Sequence, residues 1–323
     1  MAEGRLSRMI SGGITLRSVT VFAPASIGNI GPGFDVLGVA ITNCGDEVTA
    51  ARKRMPGVEI LEITGAGVPL PEDAAMNTAG IAAMKALRAI DADMGMTLRI
   101  KKGVPVASGL GSSAASAVAG GFAANRLFGD RLKRDELLQL CTEAEAAVSG
   151  GFFADNTAAA LFGGGTITRS NEPLDVISMG GLPGVTLVMV TPAMALPTAK
   201  ARKALPKKVD LHKFVSNMGN TAAIVAAFAK KDADLFCRSI NDIVVEPARA
   251  RLIPGFYDVK AAALDAGALG CSISGAGPTV FAAIPAKGPA DKVGQAMKKA
   301  FLKNGLKSTV QLCSVDRRGA REV

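Results

Sequence analysis

Apolar and polar positions alternate through the first 65 residues and then give way to helical spacing. Ser18-Val-Thr-Val-Phe-Ala23 alternates with period two and predicts a first strand. A turn-rich loop over 24–38 follows, and 36–41, 47–53 and 58–64 predict three more strands. Over 77–90, Ala79, Ile81, Met84 and Leu87 recur on one helical face. Met96-Thr-Leu-Arg-Ile100 is a short alternating strand that leads into a glycine- and serine-rich turn, then a small-residue helical segment over 117–128. A helix over 135–149, a loop holding Asp155 and Asn156, and a strand over 166–168 close this half. From Pro183 the texture changes: a strand over 185–191, a basic, proline-marked segment over 192–208, then helices over 214–230, 232–242 and 257–266. A strand–turn–strand hairpin over 271–283 turns at Gly275-Ala-Gly-Pro278, and a helix over 291–304 and a strand over 308–314 end the pattern. A mostly β front and mixed helices and strands behind it predict the α+β class. A chain of 323 residues is too long for one small core, so two domains are expected, over 15–178 and 179–323.

Composition narrows the class. With 49% hydrophobic and 20% charged residues the chain has the balance of a folded globular protein, not a disordered one. No Trp and a single Tyr leave almost no stacking platform for single-stranded nucleic acid. The net charge of +9 is uneven: from Lys287 onward nine Lys/Arg face Asp291, Asp316 and Glu322, and 200–213 holds six against Asp210. Such patches are either solvated faces or attract an anionic ligand. Cys44, Cys141, Cys237, Cys271 and Cys313 are scattered without a Cys-x-x-Cys pair, which removes metal ribbons and redox pairs and fits a reducing, cytoplasmic setting. The 23 uncharged residues over 103–125 are rich in Ser, Gly and Ala and contain Pro105, a poor composition for a membrane span. Residues 1–17 lack the apolar core of a signal peptide and read as a tail.

The turn Pro105-Val-Ala-Ser-Gly-Leu-Gly-Ser-Ser-Ala-Ala-Ser116 changes the picture from packing to chemistry. A turn of this kind before a helix leaves backbone N–H groups unpaired at the helix N-terminus, where the dipole favours a phosphate. Gly109 and Gly111 admit positive φ, and Ser108, Ser112 and Ser113 add hydroxyls. No Gly-Lys dipeptide and no Gly-x-Gly-x-x-Gly occur, which excludes a Walker A loop, a dinucleotide fingerprint and a protein-kinase glycine loop. Glu145 falls in the stripe of Leu138, Cys141 and Val148. A carboxylate there is costly unless paired or bound to a cation, so it is either an edge salt bridge or a ligand for Mg²⁺.

Three ordered segments, Pro24-Ala-Ser-Ile-Gly-Asn-Ile-Gly-Pro-Gly-Phe-Asp35, the turn from Pro105 to Ser116, and Ser274-Gly-Ala-Gly-Pro-Thr279, together resemble the GHMP kinase superfamily. Asn171-Glu-Pro-Leu-Asp175, Ala201-Arg-Lys-Ala-Leu-Pro206, Val245-Glu-Pro-Ala-Arg249 and Leu252-Ile-Pro-Gly-Phe256 are similar to its homoserine kinase branch. The likeness covers nearly all of the chain after residue 18. It implies an N-terminal ATP-binding domain like the second domain of ribosomal protein S5, then a ferredoxin-like domain. It implies transfer of the ATP γ-phosphate to the hydroxyl of L-homoserine, a step toward threonine, with ATP and Mg²⁺. A small molecule is then the partner, without nucleic acid or membrane, and a homodimer is compatible with the family. The nucleotide phosphates would lie on Pro105, Val106, Ala107, Ser108, Gly109, Leu110, Gly111, Ser112, Ser113, Ala114 and Ala115, with Ser113 and Glu145 holding Mg²⁺. The acceptor pocket would use Asn29, Asp35, Asn156, Arg202, Arg249 and Gly275, with Asn156 and Asp35 in the catalytic role.

Those residue types suit a small amino acid. A guanidinium meets a carboxylate bidentately, an aspartate meets an ammonium, and an asparagine aligns a hydroxyl. Plainer readings stand beside them: a salt bridge for Arg249, solvent for Arg202, a turn for Asn29 and a tight hairpin for Gly275. Phosphoryl transfer needs mainly positioning and charge stabilisation, so no dedicated base is expected. The only His, His212, lies in a basic segment and reads as a surface residue. Asp155 is expected to point away from its neighbour Asn156. Where the family usually has His-Ala-Asp-Asn this chain has Phe153-Ala-Asp-Asn156, which removes an imidazole from the implied pocket. The competing functions are a GHMP kinase for another small hydroxylated metabolite, a catalytically silent sensor of the same fold, and a basic nucleic-acid-binding protein.

Overall fold

The computed structural model describes residues 16–323, so all but the last two residues of the expected tail lie outside the described residues. The front half runs β1 (Ser18–Gly28), β2 (Leu37–Lys53), β3 (Val58–Thr64), α1 (Thr78–Ala89), β4 (Gly95–Lys101), α2 (Ser112–Leu127), α3 (Arg134–Ser149), α4 (Asp155–Phe162), β5 (Gly165–Asn171) and β6 (Leu174–Gly180). The back half runs β7 (Val185–Pro192), α5 (Thr198–Lys203), α6 (Leu211–Lys230), α7 (Ala233–Arg238), α8 (Val245–Ala250), α9 (Phe256–Asp265), β8 (Gly270–Ile273), β9 (Val280–Pro285), α10 (Ala290–Lys303), β10 (Ser308–Cys313) and β11 (Arg321–Glu322).

The first sheet has the order β11-β1-β2-β4-β3, with β5 paired to β2 and β6 to β5. Helices α1, α2 and α4 pack on it, α3 lies over those helices, and all four share one apolar cluster with its strands. The Gly120-Gly121 pair lets α2 touch both α1 and α3: a Cβ on Gly120 would strike the Ala79 carbonyl of α1, and one on Gly121 would lie 2.7 Å from Cys141 Sγ of α3. The second sheet is antiparallel, β10-β7-β9-β8, the strand order of a ferredoxin-like β-α-β-β-α-β unit. Strands β7, β8 and β9 are mostly apolar because both their faces are buried, while β10 at the edge keeps Ser308, Thr309 and Gln311 half-buried or exposed. Val185, Leu187 and Met189 of β7 face α6, α7 and the start of β2, while Val188 and Val190 face α9 and α10. The first of these clusters also takes in Ala25 and Ile27 of β1, so one core joins the two sheets.

Several expectations are corrected. The two strands expected over 36–41 and 47–53 are one, β2: its ends pair with β1, β4 and β5, while 41–44 bulge from the β1 ladder and are held by an Ile41–Val315 bridge and by Thr42 N–H donating to Ser314 O at 2.9 Å. Helix α2 starts at Ser112, five residues early, since Gly111 at φ 66° ends the turn and Ala114 to Ser116 are already buried. Asp155 and Asn156 open a helix instead of lying in a loop. Strand β6 is mostly half-buried or exposed and carries no clean alternation, and α5 and α8, six residues each, are too short for helical periodicity to register. The chain passes from the first sheet to the second between Gly180 and Val185, yet β11 returns to pair with β1, so the last residues belong with the first sheet. All five cysteines are free and buried, and burial pushes their thiols up to about 11 for Cys44 and about 12 for the others. Among the described residues no helix is long and apolar enough to cross a membrane.

Candidate active site

A cleft of about 400 Å³ opens between the N-terminus of α2, the end of α3 and the turns that precede β2 and β9. One wall is the glycine-serine turn. Gly111 caps α2 without a side-chain hydrogen bond, so no side-chain cap competes for the helix's first N–H groups. The hydroxyls divide their work. Ser108 Oγ donates to Pro105 O at 2.7 Å and Ser112 Oγ to Val104 O at 3.0 Å, which fasten the turn, while Ser113 Oγ donates to Glu145 Oε1 at 2.9 Å. The Gly275 hairpin clasps the same turn from outside: Ser274 Oγ donates to Gly109 O at 2.8 Å and Thr279 N to Ser108 O at 3.1 Å. Gly109, at φ 82°, has no room for a Cβ against the Ser274 carbonyl.

Val106, Ala107, Ser108, Gly109, Gly111, Ser112, Ser113 and Ala114 line the cleft. Leu110 and Ala115 instead point their side chains into the core, and Pro105 is exposed outside the cleft. Beneath the turn lies a buried cluster that sequence reasoning missed. Lys102 Nζ donates to Asp46 Oδ2, to Ser116 Oγ at 2.8 Å and to Ser112 O at 3.0 Å. Asp46 Oδ1 accepts the Gly103 and Val104 N–H groups, each at 3.0 Å, and Oδ2 accepts the Ser116 hydroxyl at 2.7 Å. Burial lowers the Lys102 ammonium from its usual value, with Asp46 opposing. Nothing in a Lys101-Lys102 dipeptide signals which lysine turns inward.

Glu145 reaches the cleft from α3. Ser113 holds one carboxylate oxygen and Ser149 Oγ the other at 2.8 Å, and no ion pair to Glu145 forms among the described residues. Burial raises its carboxyl, opposed by the bonds from Ser149 and Ser113 and by Arg202. The stripe it was read in is incomplete: Leu138 and Cys141 are buried, but Val148 is exposed at the cleft rim.

The opposite wall gathers charges from distant parts of the chain. Arg202, on α5, meets Asp35 bidentately, Nη1 to Oδ2 and Nη2 to Oδ1, both at 3.0 Å. Its guanidinium lies 3.9 Å from the Phe153 ring centre and 5.4 Å from that of Phe34. Arg249, on α8, is buried; Nη1 donates to Gly275 O at 2.6 Å and Nε has no partner. Burial lowers the Arg249 guanidinium from its usual value, while Asp35 raises it. Asn29, at φ 68°, is a turn residue as well as a cleft residue: its Oδ1 accepts Asp35 N at 3.0 Å and its Nδ2 donates to Gly275 O at 3.1 Å.

Asn156 and Asp155 both line the cleft and do not point apart, since their side chains meet across 3.4 Å. Ser26 Oγ donates to Asn156 Oδ1 at 2.9 Å, and Asp155 Oδ1 accepts Asn156 N at 3.0 Å and Nδ2 at 3.4 Å. Burial, then the charge of Asp35, raises the Asp155 carboxyl to about 7. Ser149, like Asp46 and Lys102, lies in no motif that marks it, and Ser26 lies within the Pro24–Asp35 segment without being singled out there. His212 is exposed at the start of α6, as a surface residue should be.

Comparison with known proteins matches this architecture. Residues 77–164 match the GHMP kinases N-terminal domain and 224–303 the GHMP kinases C-terminal family. The homoserine kinase of Chloroherpeton thalassium is 43% identical over 317 residues, spanning 95% of this chain and 99% of its own. That of Arabidopsis thaliana is 43% identical over 314 residues, spanning 95% and 85%. The crystal structure of homoserine kinase from Cytophaga hutchinsonii superposes with a TM-score of 0.91 at 42% identity, covering 98% of this chain and all of that one. The chain therefore belongs to the GHMP kinases, ATP-dependent phosphotransferases acting on hydroxyl groups, and within them to the homoserine kinase family.

Proposed function

We propose that the protein transfers the γ-phosphate of ATP to the hydroxyl of L-homoserine, giving ADP and O-phospho-L-homoserine. The observation that carries this reading is the pairing of a zwitterion-matching wall with a phosphate turn across one cleft. Arg249, with its unpartnered Nε, suits a carboxylate, and the Arg202–Asp35 pair offers a guanidinium and an anion that an acceptor's carboxylate and ammonium could each exchange into. Asn156, held at its oxygen by Ser26 and at its nitrogen by Asp155, has a fixed amide with which to orient the reacting hydroxyl. The N–H groups at the start of α2 suit the charge that spreads over the transferring phosphoryl oxygens.

Mg²⁺ fits the donors present. Ser113 Oγ and the two Glu145 oxygens are hard oxygen ligands beside the phosphate turn, and such an ion takes its other oxygens from nucleotide and water. Bound there, it would neutralise phosphate charge. The chain's own residues do the positioning: Lys102 and Asp46 brace the turn, Arg249 and Arg202 orient the acceptor, and Asn156 aligns its hydroxyl. No side chain is assigned as an obligatory base.

ADP release with Mg-ATP, measured across homoserine, serine, threonine, mevalonate and shikimate, tests the reading. Homoserine should give by far the largest kcat/KM. Preference for an acceptor lacking the ammonium or carboxylate would reassign the acceptor, and no release with any would leave the sensor reading.

A further inference from the structure

Arg202 is poorly anchored for a specificity residue. It sits on a six-residue helix in a long connection, its side chain is 36% exposed, and its ion pair is with an Asp35 that is itself 20% exposed. Such a pair is screened and weak. A second contact lies beside it: the guanidinium carbon sits 3.9 Å from the centre of the Phe153 ring, with Phe34 farther off at 5.4 Å. We propose that Phe153 is a positioning residue for the acceptor's carboxylate, holding Arg202 against its ring so that the guanidinium stays at the cleft wall when its edge N–H groups turn from Asp35 to that carboxylate. This rests on the functional reading above.

Three observations carry it. Phe153 lines the cleft but belongs to none of the three apolar clusters, so core packing does not account for a phenyl ring there. The chain makes room for it, since a Cβ on Gly151 would strike the ring edge. The loop that carries it is tied to the nucleotide side, because Ser149 Oγ, which holds Glu145 at 2.8 Å, also reaches Gly151 O at 3.4 Å. Stacking suits a guanidinium better than an ammonium: it is planar, weakly hydrated, and keeps its in-plane N–H groups free when a ring covers its face.

Steady-state kinetics of the full chain test the assignment. Phe153→Leu should raise the homoserine KM by about 3- to 30-fold, the range of a cation–π contact from exposed to desolvated. The kcat, the ATP KM and the melting temperature should stay near wild type, and Phe153→Tyr should restore the acceptor KM. In an Arg202→Lys background, which has no planar face to hold, the Leu substitution should change the acceptor KM by less than about twofold. An acceptor KM unmoved by Phe153→Leu, or an equal rise for ATP, overturns the assignment. A wild-type protein that phosphorylates no amino acid overturns the functional reading itself, and this inference with it.

Discussion

At the scale of single residues, burial and charge decide which side chains do chemistry. Glu145 accepts two serine hydroxyls and no cationic partner, so Glu145→Gln keeps the shape and removes the charge. Turnover should fall on the order of 100-fold, with the thermal transition unmoved; wild-type kcat in that variant would discard the metal role. Arg249→Leu removes a buried guanidinium whose Nε awaits a partner. The acceptor KM should rise about 10- to 150-fold, as for loss of a charge-assisted bond, while the ATP KM barely moves. Asp155 makes a prediction about stability. Its carboxyl is raised from 3.8 to about 7, so between those values the native state keeps a proton that the unfolded chain has lost. Its contribution therefore weakens the fold as pH rises through that window. Asp155→Asn removes the effect, and its melting temperature should gain on wild type from pH 4 to pH 7 and then run parallel. A constant offset across that range would show that Asp155 is not titrating there.

At the scale of elements, the phosphate turn depends on what lies under it. The Asp46–Lys102–Ser116 cluster ties β2, the end of β4 and the first turn of α2 at one buried point. Lys102→Met leaves Asp46 buried without its cation and should cost about 3–5 kcal/mol in urea unfolding. Adding Asp46→Asn should recover part of that, because the amide oxygen still accepts the Gly103 and Val104 N–H groups. If the double variant is no more stable than Lys102→Met, the cost is not an uncompensated charge. Elements also show where pattern reading works. Helix α1 and the β8–β9 hairpin were legible because one stripe or one turn dominates them. Helix α8 was not, although it carries Arg249, because six residues make less than two turns.

At the scale of the whole molecule, the cleft lies where the two sheets share a core. Val185, Leu187 and Met189 of β7 pack with Ala25 and Ile27 of β1 in one cluster, and β11 brings the chain's end back to β1. A joint core of this kind should unfold as a unit. Calorimetry should give one transition whose calorimetric and van't Hoff enthalpies agree. Two separable transitions would mean that the halves fold independently and that the cleft rests on a weaker interface than this one.

The sequence by itself determined the α+β class, the β-rich front and the three glycine turns of the family, the one before α2 among them, because each is written in a short run of neighbouring residues. It also marked Glu145 as out of place on its helix. What only the tertiary structure decided is who meets whom across the cleft. Ser113 meets Glu145 from 32 residues away, Arg202 meets Asp35 from 167, and Asn29 meets Gly275 from 246. Local periodicity carries no information about such pairs, since they are set by how two sheets stack. The same holds for Lys102 turned inward beside an exposed Lys101, and for a phenyl ring at 153 that lies against an arginine outside the core.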